Sequence, residues 1–335
     1  MSRVQPTQWP DSVDELLDGL RVVTLPLNTR FRGVDEREVA LVQGPCGFGE
    51  FAPFVEYGPT EAARWLDAAV EAAWTTWPDP VRTEVPVNAT VPAVPAERVA
   101  QVLSRYDGCT TAKIKVAERG QVEQDDIDRV AAVRDLMGPD ARIRVDANGG
   151  WSLTQAADML ARLAPFELEY AEQPCADVRD LAHLRIDLAH NGVDVPIAAD
   201  ESIRKAEDPF EVARLRAADV IVVKVAPLGG VAAALRIVDE CGLPAVVSSA
   251  IDSSIGLRAG VALAAALPSL EHACGLGTGA LLAADVTTAP LLPVGGVLPV
   301  REVVPDEELL VQHASPAHRE RWWRERVRAA WAARG

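Results

Sequence analysis

Short runs of alternating apolar and polar residues open the chain. Leu20-Arg21-Val22-Val23-Thr24-Leu25-Pro26-Leu27, Arg37-Glu38-Val39-Ala40-Leu41-Val42-Gln43-Gly44 and Gly47-Phe48-Gly49-Glu50-Phe51 read as three strands. Gly and Pro between such short runs predict a small antiparallel sheet. Residues 1–20 show no clear element. At Gly58-Pro59-Thr60-Glu61 an alanine-rich helix begins and runs to about Trp74, with Thr60 as its expected N-cap. Pro78, Pro80 and Pro86 mark a boundary.

Beyond Val85 the pattern changes to alternating strands and helices, which predicts a parallel sheet. Pro86-Val87-Asn88-Ala89 is the first strand of this series, with a helix over 96–104. Ala112-Lys113-Ile114-Lys115-Val116 is the second, followed by a helix over 122–137. The third ends at Asp146, the fourth at Glu172 and the fifth at Asp200. Val220-Ile221-Val222-Val223-Lys224-Val225 is the sixth, Ala245-Val246-Val247-Ser248 the seventh, and a weaker eighth lies near 271–274. Eight units fit a closed α/β barrel, in which functional residues sit at the C-terminal strand ends. An open doubly wound sheet is the alternative. The division expected is a small α+β unit at 1–85, a barrel at 86–285 and a C-terminal segment at 286–335. Trp323, Val327 and Trp331 recur at helical spacing in that segment. Such a basic amphipathic helix either packs on the N-terminal unit or lies on a membrane surface.

Composition narrows the partners. Of 335 residues, 49% are hydrophobic, enough for a large core. Acidic residues outnumber basic ones, 49 to 33, for a net charge of −16, which argues against a nucleic-acid surface. Local Lys and Arg can still receive a small anionic substrate. The five cysteines show no CxxC pair, and no apolar leader or spanning run is present. The expectation is a cytoplasmic protein with reduced thiols, no integral membrane segment and no obligate protein partner.

The chemistry lies at the strand ends. Arg142-Ile143-Arg144-Val145-Asp146, Leu168-Glu169-Tyr170-Ala171-Glu172 and Pro196-Ile197-Ala198-Ala199-Asp200 each finish in a carboxylate, about one strand-helix-strand repeat apart. Asp146, Glu172 and Asp200 therefore sit on neighbouring strands. Three hard oxygen ligands suit Mg²⁺, with Mn²⁺ possible, rather than Zn²⁺. Lys113 and Lys115 share one strand face, pointing into the barrel, and Lys224 ends the sixth strand across from them. A divalent ion can stabilise the charge left when a carbon beside a carboxylate loses its proton, and a lysine can accept that proton.

The set Lys113-Ile114-Lys115, Asp146-Ala147-Asn148, Glu172-Gln173-Pro174, Asp200-Glu201-Ser202 and Lys224 resembles the enolase superfamily, whose members use a Lys or His base with Mg²⁺. The opposed lysines resemble its muconate-lactonizing subgroup. The resemblance implies a modified (β/α)₇β TIM-like barrel, with an α+β N-terminal capping domain completed by C-terminal segments. It implies that Asp146, Glu172 and Asp200 bind Mg²⁺, that Lys115 removes the α-proton and that Lys224 stabilises the enediolate from the opposite face. Lys113 and Asn148 are expected to support the site. Arg144 is expected to orient it or pair a carboxylate, and Ser254 and Gly256 to donate hydrogen bonds to a second substrate carboxylate. The stretches Arg144-Val145-Asp146-Ala147-Asn148-Gly149-Gly150-Trp151 and Ser248-Ser249-Ala250-Ile251-Asp252-Ser253-Ser254-Ile255-Gly256 resemble a dehydratase of the subgroup. That dehydratase makes an aromatic ring from a succinyl-hydroxycyclohexadiene carboxylate for menaquinone synthesis. The alternative is a racemase of N-succinyl amino acids or another racemase or cycloisomerase of the subgroup. The small N-terminal unit is expected to close over the barrel mouth through the Gly- and Phe-rich stretch 44–54.

Overall fold

A computed structural model describes residues 9–205 and 208–334. The unassigned start contains one short helix, α1 (Val13–Asp18), and residues 1–8 lie outside the described residues. Strands β1 (Arg21–Phe31), β2 (Val34–Gly44) and β3 (Gly47–Phe51) form an antiparallel sheet in that order. The β1–β2 hairpin extends further than its apolar pattern, to a tip at Arg32 and Gly33, both at positive φ. Helix α2 (Pro59–Trp74) packs against this sheet. Gly58 is its N-cap and Pro59 sits in the first turn, so Thr60 lies inside the helix and does not cap it. Proline's fixed φ suits that first turn. Gly49 sets the closeness of sheet and helix: a Cβ there would fall 1.9 Å from the Ala69 carbonyl oxygen.

The chain then passes through β4 (Glu84–Pro86) into seven parallel strands: β5 (Ala89–Val91), β6 (Thr111–Lys115), β7 (Arg142–Asp146), β8 (Leu168–Glu172), β9 (Ile197–Ala199), β10 (Val220–Lys224) and β11 (Ala245–Ser248). They lie side by side in chain order. The connecting helices are α3 (Val99–Leu103), α4 (Glu123–Met137), α5 (Leu153–Leu163), α6 (Val178–His190), α7 (Glu201–Arg204), α8 (Glu211–Arg214), α9 (Val225–Leu228) and α10 (Val231–Cys241), with α11 (Ser254–Ala266) after the last strand. The first barrel strand falls three residues later than its apolar run suggested. Pro86 pairs instead with Val297 of β12 (Val297–Pro299), where β4 forms a two-stranded edge and a missing N–H is tolerated. The eighth stave is reduced to bridges from Cys274 to Val87 and from Gly275 to Ser248. The Cys274 amide donates to Pro86 O at 2.7 Å and the Gly275 amide to Val247 O at 2.8 Å. These bonds join the two ends of the sheet and close the barrel.

Alternation along each strand sorts the core. Ile114, Ile143, Val145, Ile221, Val223 and Val247 face outward into the main core with the helices. Tyr170, Ala198, Val220, Val222 and Val246 form a separate cluster inside the barrel. Period two continues that inner series to Glu172, Asp200 and Lys224 at its C-terminal end. After α12 (Glu307–Gln312), helix α13 (Ala317–Ala332) returns to the N-terminal sheet. Trp323 meets Phe51 edge-on at 5.8 Å, and its ring N–H donates to Glu38 at 3.0 Å. Among the described residues, no helix is long and apolar enough to cross a membrane. All five cysteines are free.

Candidate active site

The strand register brings the predicted groups to one level. Lys115 pairs with Asp146, Asp146 with Glu172 and Glu172 with Ala198 across β6 to β9. Asp200 follows two residues after Ala198, just past the end of β9, and opens α7. Above them is a cavity of about 950 Å³ lined by Lys113, Lys115, Asp146, Asn148 and Lys224, among others. Glu172 and Asp200 do not line it but lie buried beside Asp146, Lys113 and Lys224, at 1% and 0% exposure, and the three acids together form the floor of the site.

Each carboxylate meets a cation of the chain. Lys113 Nζ donates to Asp146 Oδ2 at 3.0 Å and to Glu172 Oε1 at 2.8 Å. Lys224 Nζ donates to Asp200 Oδ2 at 2.6 Å, and Arg204 Nε to Asp200 Oδ1 at 2.9 Å. Burial opposes the charge on Asp200, but Arg204 and Lys224 outweigh it and hold its pKa below the ordinary value. The same balance, with Lys113 and Lys115 as the cations, lowers Asp146. Glu172 goes the other way: burial and the neighbouring Asp146 push it up to about 8, against the pull of Lys113. The Lys113 ammonium is disfavoured by burial, yet Asp146 and Glu172 hold its pKa well above the usual lysine value.

The three carboxylates stand at neighbouring strand ends, as expected, and each is occupied by a cation of the chain: Lys113 bridges Asp146 and Glu172, and Lys224 and Arg204 hold Asp200. Among the described residues no three ligand-type side chains form a ready metal site. The donor set nevertheless fits a divalent ion. All three ligands are hard oxygens, and Glu172 Oε2 is buried with no hydrogen-bond partner. A buried acid with one orphaned oxygen and a raised pKa is short of positive charge.

Gln173 ties two of these strand ends together. Its side-chain carbonyl accepts from the amides of Asp200 at 2.9 Å and Ser202 at 3.1 Å. Its amide donates to Ser202 Oγ at 2.7 Å and Cys175 O at 2.9 Å. Asn148, at φ +47, turns its backbone N–H onto Asp146 Oδ1 at 3.0 Å.

Arg144 lies one layer below the site. It is fully buried, pairs with Glu169, donates to Ala273 O at 2.7 Å and stacks 4.7 Å over Tyr170. It thus pairs a carboxylate of the protein and ties β7 to the closing stave. Burial works against the Glu169 carboxylate, but hydrogen bonds from His272 and Arg144 bring its pKa down to about 2. Ser254 and Gly256 are not placed as expected. The Ser254 hydroxyl donates to Asp285 at 2.7 Å and the Gly256 amide to Glu50 at 3.2 Å, and neither residue lines the cavity. Their donors cap a helix whose acceptors come from distant parts of the chain.

The capping unit reaches the cavity mainly through the β1–β2 hairpin, residues 27–33 and Asp35, with Trp65; of the stretch 44–54, Phe54 lines the cavity and the turn at 44–47 does not. That turn is held down: a Cβ on Gly44 would meet the Ala73 carbonyl at 2.4 Å. Two further groups escaped sequence reasoning. Arg204 carries an i,i+4 signal to Asp200 that was available in the sequence. Tyr57, whose hydroxyl accepts from Arg32 at 2.9 Å and Arg204 at 3.4 Å, carried none.

A capped barrel with acids on three adjacent strand ends and lysines on opposed staves defines an enolase-type protein. Residues 22–73 match the family described as Enolase N-terminal domain-like, and residues 96–306 match Enolase C-terminal domain-like. The chain belongs to the o-succinylbenzoate synthase family of this superfamily. It is 58% identical to an o-succinylbenzoate synthase of Thermobifida fusca (strain YX), over 93% of this chain and 96% of that one. It is 55% identical to that of Mycolicibacterium smegmatis (strain ATCC 700084 / mc(2)155), over 97% and 99%. In fold it is similar to muconate lactonizing enzyme from Pseudomonas fluorescens, with TM-score 0.75 and 21% identity over 88% of this chain and 98% of that one. It is also similar to N-succinyl Arg/Lys racemase from Bacillus cereus, with TM-score 0.73 and 20% identity over 89% and 97%.

Proposed function

We propose that this chain is a divalent-metal-dependent o-succinylbenzoate synthase. It dehydrates 2-succinyl-6-hydroxy-2,4-cyclohexadiene-1-carboxylate to 2-succinylbenzoate. The observation that carries the reading is the placement of Lys115 and Lys224. They stand on β6 and β10, four strands apart around a ring closed at eight staves, with the acids of β7, β8 and β9 between them. A ring carbon held over those acids has one amine on each face.

Mg²⁺ or Mn²⁺ held by Asp146, Glu172 and Asp200 would supply the positive charge that lets the substrate carboxylate spread electron density as the neighbouring C–H breaks. Lys115 takes that proton on the face it occupies. The resulting ammonium lies beside the hydroxyl on the adjacent carbon and returns the proton as the C–O bond breaks. One water leaves, and the ring gains its third double bond. Lys224 remains a fixed cation on the opposite face, where it favours the developing charge and the aromatic ring. Lys113 favours the ionised Asp146 and, by its hydrogen bond, holds Glu172 in place.

The cavity mouth supports an anionic substrate. Despite the net charge of −16, Arg30, Arg32, Arg98, Arg119, Arg204 and Lys205 all line it. Such a cluster concentrates a dianion locally. A second reading, racemization of N-succinyl amino acids, draws on the same opposed lysines, because a two-base proton transfer needs an amine on each face. The test is direct. With Mg²⁺, the purified enzyme converts the cyclohexadiene substrate, followed by loss of its absorbance. Failure to convert it, together with racemization of N-succinyl amino acids, overturns the assignment in favour of the second reading.

A further inference from the structure

Glu50 lies in β3 of the capping unit, 7% exposed, yet its donors come from the barrel. The amides of Ser253 and Gly256 reach its Oε2 at 3.1 and 3.2 Å, and the Ser253 hydroxyl donates to the same oxygen. These are donors from the first turn of α11, which have no partner inside the helix. The contact has no slack: a Cβ on Gly256 would fall 2.9 Å from Glu50 Cδ. Arg37 of β2, 4% exposed, makes a second tie. Its Nε donates to Ile251 O at 3.2 Å, its Nη2 donates to Ala52 O, and its guanidinium stacks 4.3 Å over Phe54.

Both ties end on the segment between β11 and α11. Ser249, Ala250 and Ile251 in that segment form one wall of the substrate cavity. Ile251 is held at φ +60, a conformation a β-branched residue rarely adopts unaided. The wall therefore needs an outside hold, and the capping unit supplies it.

We propose that Glu50 and Arg37 are positioning residues that fix the Ser249–Ala250–Ile251 wall from the capping unit. Docking of that unit thereby sets how tightly the substrate is bound. The role goes beyond the reaction proposed above, although its kinetic readout rests on that reaction. Neither residue reaches the cavity floor, so the effect falls on KM and not on the proton transfers at Lys115.

The experiment compares wild type, Glu50→Ala and Glu50→Gln in the dehydration assay with Mg²⁺, with circular dichroism to confirm folding. Glu50→Ala leaves buried donors unmet and raises KM by roughly tenfold or more, with kcat within about threefold. Glu50→Gln retains a carbonyl acceptor for the same donors and restores KM to within about threefold of wild type. A folded Glu50→Ala enzyme with wild-type KM, or one whose kcat alone falls, overturns the proposal. If wild type itself does not turn over, the proposed reaction fails. The inference is then decided by amide hydrogen exchange on the wild-type protein without substrate, a measurement that also serves if Glu50→Ala does not fold. The Ser253 and Gly256 amides are expected to exchange as slowly as the centre of α11. Exchange as fast as that of an open loop overturns the inference.

Discussion

The protein buries two groups of carboxylates within its upper half and treats them in opposite ways. At the barrel mouth, Asp146, Glu172 and Asp200 are in direct ion-pair contact with Lys113, Lys224 and Arg204, beside the substrate cavity. At the seam with the capping unit, Glu50 and Asp252 sit beside Arg37, and the Glu50 donors are fixed backbone amides and a serine. Asp146 and Asp200 are held below the ordinary carboxylate value, against burial, by neighbouring ammonium and guanidinium groups. Burial, with Asp252 nearby, pushes Glu50 up to about 8, so the seam lowers its charge by taking a proton. Charge is retained where a guest must be bound and is removed where two units must stay packed. Glu172 is intermediate, ion-paired yet raised to about 8, as expected for an acid whose full set of counter-charges includes a ligand.

The largest effect expected from this contrast is at the floor. Exhaustive chelation abolishes dehydration, and added Mg²⁺ restores it. Asp200→Asn lowers kcat/KM by more than about a hundredfold even with excess metal, because Lys224 and Arg204 lose their shared partner. Full activity after chelation, or a near-normal Asp200→Asn enzyme, would remove the distinction between floor and seam.

A smaller effect, on stability, comes from the seam. Glu50 is raised from 4.5 to about 8 in the folded protein. Between those values the folded state holds a proton that the unfolded chain has released, so stability falls as pH rises through that window. Glu50→Gln removes this dependence. Urea unfolding of wild type and variant between pH 5 and 8 is expected to show wild type losing a few kcal/mol relative to the variant, of order 3 at most. Parallel curves would place the Glu50 charge outside the stability balance. Smallest is the effect of salt: the basic mouth predicts a several-fold fall in kcat/KM between roughly 20 and 300 mM salt. A salt-independent kcat/KM would sever the basic mouth from substrate capture.

The floor was legible in the sequence and the seam was not, for a physical reason. A carboxylate or lysine at the end of a β-branched run declares its position, and period two declares its face. Asp146, Glu172, Lys115 and Lys224 could therefore be placed from spacing alone. Ser254 and Gly256 were expected to donate to a ligand only because the family resemblance implied it. Their acceptors, Asp285 and Glu50, lie 31 and 206 residues away, and no local pattern reports that. The β1–β2 hairpin escaped for a similar reason. Its outer half is polar, so its apolar run ends early, and only the tertiary fold shows that those polar residues line the cavity. The eighth stave was weak in sequence because it is weak in structure, two bridges without a ladder.

The central claim is that Lys115 carries the protons and Lys224 carries only charge. Its most direct test measures Lys115→Arg and Lys224→Arg, each shown to be folded, on the cyclohexadiene substrate and on N-succinyl amino acids. Guanidinium stays protonated at any working pH, so Arg preserves charge and removes the base. The account predicts dehydration lost by about a thousandfold or more in Lys115→Arg but still measurable in Lys224→Arg, with any racemization lost in both. Dehydration that survives Lys115→Arg and disappears in Lys224→Arg would contradict it.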